Sequence, residues 1–257
     1  MRNDIDLHLH TAHVGCANET MSVSALLARA EELAYSQIAI TDHYNGPHHG
    51  DAQKAIREDL RSYDGPLAIT WGVEWNVADG STGVLTGDEA TVVEYGWEFV
   101  IAGPHGRYGE TDPDAIVATQ HRLMLATMHN PLVDALVHPW WFTVGEFAPD
   151  QPMAWFTDMS RIPAWHAEEL AQASVETGTA IEMNADAIIH QPSYTPAFLE
   201  DYQVYMARLH ELGATFTVAS DAHDIRQVEL ARDAGRFLAE AGVPDSRIVV
   251  PKPSELG

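Results

Sequence analysis

Apolar, largely β-branched runs recur along the chain, and stretches with helical spacing separate them. The runs lie at Ile5–Thr11, Gln37–His43, Leu67–Trp75, Glu98–His105, Ala135–Trp141, Ala180–Ala185 and Thr215–His223. The helical patterns lie at Val23–Tyr35, Ala52–Ser62, Asp114–Met128, Pro163–Thr177, Pro196–Leu212 and Val228–Ala241. Ser22 and Asp112 stand where N-caps belong, and Gly213 and Gly242 where a left-handed C′ residue would end a helix. Strand–helix alternation of this kind predicts βα units around a parallel sheet. The segment Asp79–Gly96, rich in Asp, Gly, Ser and Thr, breaks the rhythm and predicts a hairpin-like excursion at the rim. Seven strands remain, one fewer than in the common eight-stranded α/β barrel. No repeat, low-complexity segment or linker divides the chain, so residues 1–257 are expected to form one domain.

Polar residues interrupt this pattern at one recurrent place. The first strand closes Asp6-Leu7-His8-Leu9-His10-Thr11, and the second closes Ile40-Thr41-Asp42-His43. The third carries Gly72-Val73-Glu74, the fourth ends Pro104-His105, and the fifth reads Leu136-Val137-His138-Pro139. Glu182-Met183-Asn184 closes the sixth, and Ser220-Asp221-Ala222-His223 the seventh. Residues i and i+2 of a strand project together, so His8 pairs with His10, and Asp221 with His223. In a parallel barrel the C-terminal strand ends meet on one face, where catalytic groups sit. Imidazoles and carboxylates crowded there need a cation among them, and divalent metal is the economical one. Six histidines and two acids exceed the needs of one tetrahedral ion, which implies a cluster of two or three.

Composition narrows the function classes. The chain has 257 residues, 14 histidines and a net charge of −24. Such a surface repels phosphate backbones and anionic lipid, so neither nucleic acid nor membrane is an expected partner. Cys16 is the sole cysteine, no apolar leader opens the sequence, and no run approaches a membrane span. A cytoplasmic protein is the expectation. No Walker A pattern, dinucleotide glycine fingerprint or Ser/Cys nucleophile motif is present.

The strand-end residues closely resemble the PHP (polymerase and histidinol phosphatase) family, in the family's order from residue 5 to residue 223. The resemblance implies a distorted (β/α)7 barrel with its metal site at the C-terminal ends of the strands. It also implies a trinuclear centre, commonly of zinc, manganese or iron, and hydrolysis of phosphate esters. By position, His8, His10, Glu74 and Asp221 would hold the first metal. Glu74 would bridge to a second, completed by His105 and His138, while His43 and His223 would serve a third. One departure stands out. The family usually places Asp or His five or six residues beyond the second His of the first strand, where this chain has Gly15 and Cys16, with His13 slightly early. His13 and Cys16 are thus the candidate further ligands, and a thiolate would favour zinc or iron over manganese.

The expected activity is hydrolysis of a small-molecule phosphate ester by a metal-bridging hydroxide, with Glu74, Asp221 and His223 as catalytic residues. Arg107 and Arg226, two and three residues beyond His105 and His223, are the expected substrate cations, and Asn184 is expected to point into the site and orient substrate or a ligand. Trp140 and Trp141 either wall the substrate pocket or pack at the rim. His48 and His49 read as an exposed turn; His121, His129, His166, His190 and His210 read as structural or exposed. Two other functions fit the same residues: a metal-dependent amidohydrolase or carboxyl esterase on the same barrel, and a non-catalytic metal-binding barrel.

Overall fold

A computed structural model of the chain describes residues 3–142 and 156–256. Seven parallel strands form the expected barrel: β1 (Ile5–Leu9), β2 (Gln37–Ile40), β4 (Ala68–Asp79), β6 (Phe99–Gly103), β7 (Ala135–Leu136), β8 (Ala180–Asn184) and β9 (Phe216–Ala219), paired in that order. The ring closes between its ends, where Leu9 bridges Ala222 and the Asp221 amide donates to the His8 carbonyl at 3.0 Å. Every residue of β1, β2, β6, β8 and β9 is buried, as expected of strands covered by helices outside and by side chains inside. β4 and β6 approach so closely that a Cβ on Gly72 would lie 2.5 Å from the Phe99 carbonyl oxygen, so only glycine fits there.

The flanking helices are α1 (Val23–Glu32), α2 (Gly50–Arg61), α3 (Glu89–Tyr95), α4 (Pro113–Met128), α5 (Ala164–Thr177), α6 (Pro196–Glu211) and α7 (Ala231–Glu240). Ser22 and Asp112 cap α1 and α4 as expected, and Asp112 Oδ1 accepts from two amides at 3.0 Å each. Gly213 and Gly242 take φ of 100° and 84° after α6 and α7.

The departures from simple periodicity lie at the strand ends. The Gln37–His43 run splits, because the buried Asp42 carboxylate leaves the ladder to accept the Thr11 amide; β3 (His43–Tyr44) then resumes beside β4. β7 and β9 stop early, because His138, Trp140 and Asp221 adopt left-handed φ of 27°, 65° and 59°. The excursion is a hairpin between the extended end of β4 and β5 (Val84–Leu85), followed by the unforeseen α3. An Asp88/Thr91 capping box starts α3, and Gly96 ends it. Among the described residues, no helix is long and apolar enough to cross a membrane.

Candidate metal centre

β1 turns Asp6, His8 and His10 toward the barrel axis, all fully buried. β4 brings Glu74 to the same level, and β3 holds His43 in register with it. Four donor atoms gather here: His8 Nε2, His10 Nε2, Glu74 Oε2 and Asp221 Oδ1. His8 Nε2 lies 2.9 Å from His10 Nε2, 3.3 Å from Glu74 and 3.5 Å from Asp221. His10 Nε2 lies 3.5 Å from Glu74 and 3.1 Å from Asp221. Donors 2.0–2.1 Å from a tetrahedral ion stand ~3.3–3.4 Å apart, so the four atoms already have the spacing of a ligand shell.

Glu74 faces a second group with its other oxygen. Oε1 lies 2.9 Å from His105 Nε2 and 3.3 Å from His138 Nε2, while His43 Nδ1 approaches Oε2 at 2.9 Å. One carboxylate therefore separates two sets of imidazoles. Hydrogen bonding leaves this cluster incomplete: the Nδ1 atoms of His10 and His138 are buried without a hydrogen-bond partner, and Glu74 Oε2 and His43 Nδ1, though 2.9 Å apart, are not aligned to bond each other. Such orphans are costly, and a cation held by the clustered donors of His8, His10, Glu74 and Asp221 fits both the donor set and the spacing.

The charges agree. Burial would push Glu74 and Asp221 upward, but neighbouring imidazoles, His43 and His8 foremost, hold both well below the usual carboxylate range. Burial likewise opposes charge on His8, yet Asp221, Glu182 and Glu74 raise it well above 6.5. His10 is pulled down to about 3 by burial and by His223, so it presents a neutral imidazole.

A third group forms beside the first. Donor atoms of His10, Cys16, His43 and His223 all lie within 4.8 Å of one another. The His223 and His43 rings stack on His10 with centroids 4.3 and 4.7 Å away. His13 is not among them; its Nε2 pairs with Asp59 at 2.9 Å. Cys16 is exposed as a residue, yet desolvation of the thiol and the carboxylates of Asp42 and Glu74 push it up to about 12.

Glu182 is the residue that sequence reasoning left without a role. From the interior face of β8, its Oε1 meets His8 Nδ1 at 2.8 Å, and its Oε2 accepts the His138 amide at 2.9 Å. It thus fixes the His8 tautomer so that Nε2 offers a lone pair to the cluster, and it supports the left-handed turn at His138. The available signal was its i, i+2 relation to Asn184. Asn184 points into the same group: it is fully buried, its Nδ2 donates to Glu182 and Asp221 at 3.0 and 3.1 Å, and its Oδ1 accepts the Ala187 amide at 2.9 Å. Both donors of its amide are thereby committed to the two carboxylates.

Above the cluster a cavity of about 230 Å³ is lined by His43, Glu74, His105, His138, Trp141, Asp186, Gln191, Asp221 and His223, with Ala187. Trp141 walls it, packing on His138 with centroids 4.7 Å apart. Trp140 is buried instead against His166 and His121. Neither arginine lines the cavity among the described residues. Arg226 is 86% exposed and forks onto Asp224 through Nε and Nη2, each at 2.9 Å. Arg107 is half-buried, with Nη1 unpaired. His48 and His49 form a 3₁₀ turn, and His121 and His166 stack at 3.7 Å between α4 and α5.

Comparison with known proteins places this geometry. A protein of Yersinia pestis named "Probable phosphatase" is 27% identical over 259 residues, covering 98% of this chain and 91% of the relative. The "DNA polymerase/3'-5' exonuclease PolX" of Bacillus subtilis is 23% identical over 232 residues; the match takes in 87% of this chain but spans only 35% of that protein. The crystal structure of the "putative histidinol phosphatase hisK" of Listeria monocytogenes superposes with a TM-score of 0.57 at 13% identity, covering 87% of this chain and 97% of that one, and shares the fold. The family model of the PHP domain matches residues 6–186, which include the strand-end residues from His8 to Glu182. The chain belongs to the PHP domain family.

Proposed function

We propose that the whole chain is one barrel domain that hydrolyses a phosphate ester of a small molecule with two or three divalent ions (zinc, manganese or iron). The observation that carries this reading is Glu74, whose two oxygens face separate imidazole sets. His8, His10, Glu74 and Asp221 hold one ion, and Glu74, His105 and His138 the next; His43 and His223 serve the third position. Bound there, such ions supply an ionised water as nucleophile and positive charge for the phosphoryl oxygens. The protein's part is to fix the spacing. Glu74 and Asp221, held ionised, contribute the negative charge that balances the ions. His223, 34% exposed at the cavity edge with Nδ1 2.9 Å from the Asp221 carbonyl oxygen, is placed to offer its other ring nitrogen to the third position. The curated relative named a phosphatase matches along nearly its full length, which supports the reaction class.

Substrate contacts depend on which cations are unpaired. Arg107 has an unpaired Nη1, whereas Arg226 must release Asp224 before it can meet a phosphate. One observation favours the amidohydrolase or carboxyl-esterase reading: among the described residues, no Lys or Arg lines the cavity, and Asp186 does. The deciding experiment is turnover of phosphate-ester, carboxyl-ester and amide panels by protein reconstituted separately with Mn, Zn and Fe. The proposal expects phosphate esters to turn over and inorganic phosphate to inhibit competitively. Arg107→Ala should raise the phosphate inhibition constant more than Arg226→Ala. Turnover confined to the amide or carboxyl-ester panel would replace the phosphoesterase reading.

A further inference from the structure

Cys16 stands where the family pattern has an imidazole or carboxylate, and its surroundings are built. The loop carrying it is pinned to the segment after β9: the Asn18 amide donates to the His223 carbonyl at 2.9 Å, Asn18 Nδ2 to Asp224 at 2.7 Å, and the Ile225 amide to Thr20 Oγ1 at 3.2 Å. A second tie closes the loop on itself, from the Ala12 amide to the Met21 carbonyl at 2.9 Å. Gly15, at φ 89°, makes the turn that delivers Cys16. The result brings the cysteine among three imidazoles from separate parts of the barrel, with all four donor atoms within 4.8 Å. One of these, His10, is fully buried and its Nδ1 has no hydrogen-bond partner. His13, the alternative, is held by Asp59 outside the group.

We propose that Cys16 is a metal-ligating thiolate, completing with His43 and His223, beside His10, a third position softer than the carboxylate-bound pair next to it. The inference rests on the metal-centre reading but not on the choice of phosphate ester as substrate. On binding, the S–H bond breaks, its proton leaves to solvent and the sulfur–metal bond forms, with no change of oxidation state. Zinc-bound donors of this kind stand ~3.5 Å apart, so side-chain shifts on the order of 1 Å close the shell. Sulfur with imidazoles selects zinc, cobalt or ferrous iron over manganese and magnesium. The adjacent site, with Glu74 and Asp221, accepts the harder ions. The two positions would therefore discriminate between metals within one cavity.

The single cysteine makes the test unambiguous. Cobalt(II) is titrated into the metal-free full chain, and uptake is followed by direct metal analysis and by absorption. The expected result is a thiolate-to-cobalt charge-transfer band in the near ultraviolet. Cys16→Ser should lose the band while still taking up two cobalt ions, and His13→Gln should keep it. In parallel, iodoacetamide should alkylate Cys16 in metal-free protein and react at least ~10-fold more slowly after zinc loading, since only a free thiolate attacks. Uptake of two or more ions without the band, or equal alkylation rates with and without zinc, overturns the thiolate while leaving the two-ion centre intact. No cobalt uptake at all overturns both.

Discussion

Replacing Glu182 by glutamine changes one atom type in the barrel interior, at a carboxylate whose two oxygens are both committed. Glu182 Oε2 accepts from the His138 amide at 2.9 Å and from Asn184 at 3.0 Å, while Oε1 accepts from His8 Nδ1 at 2.8 Å. Glutamine has one oxygen to serve both ends. If its carbonyl stays with His138 and Asn184, its NH2 confronts His8 Nδ1, and His8 must move its proton to Nε2. That nitrogen then faces His10, Glu74 and Asp221 as a donor and no longer offers a lone pair. If the amide flips, two buried donors are orphaned at about 1–3 kcal/mol each. Losing such a support usually lowers metal affinity 10–100-fold, which is about 1.4–2.8 kcal/mol. We expect Glu182→Gln to weaken zinc binding by that factor, measured by competition against a chromophoric chelator. Thermal unfolding in EDTA would establish that the variant folds. A folded Glu182→Gln with wild-type zinc affinity would falsify the assignment of Glu182 as the group that sets the His8 tautomer.

Three further outcomes are expected. Glu74→Ala should abolish turnover more completely than His43→Ala, because Glu74 meets both imidazole sets; near wild-type activity in Glu74→Ala at full metal loading would contradict its bridging place. Stripping metal should lower the melting temperature by roughly 5–10 °C relative to protein at 100-fold excess over Kd, since binding at that ratio adds about 2.7 kcal/mol; identical scanning-calorimetry traces with and without chelator would count against a native metal centre. His166 is pulled from 6.5 to about 4 by burial and by His121, against Glu169, so the unfolded chain takes up the proton first. Its contribution to stability is present above about pH 6.5 and is lost as pH falls toward 4. Urea unfolding of chelated protein at pH 7 and pH 5 should show a smaller loss in His166→Gln than in wild type, and equal losses would refute this.

Much of the architecture was legible because it is written in local periodicity. Seven apolar runs gave seven strands, and polar residues at their ends marked the face of the site. The points of failure share a cause. His138 and Asp221 take left-handed backbone that no propensity suggests, and Glu182 and Asn184 hold them there through hydrogen bonds spanning 44 and 37 residues. Positions held against local preference need tertiary partners, and such strain gathers at functional sites. Arg107 and Arg226 looked alike in sequence, each just beyond a strand-end histidine; the nearby carboxylate of Asp224 sets them apart.

The sequence by itself determined the fold class and named most of the side chains that gather at one end of the barrel, since strand alternation and strand-end position are properties of the local chain. Only the tertiary structure decided which donors meet. It set Glu74 between two groups of imidazoles, brought Cys16 and not His13 to His223, and gave Glu182 and Asn184 to positioning. Those outcomes depend on contacts between strands that are neighbours around the barrel but far apart along the chain, where side chains a few ångströms apart compete for one proton or one cation.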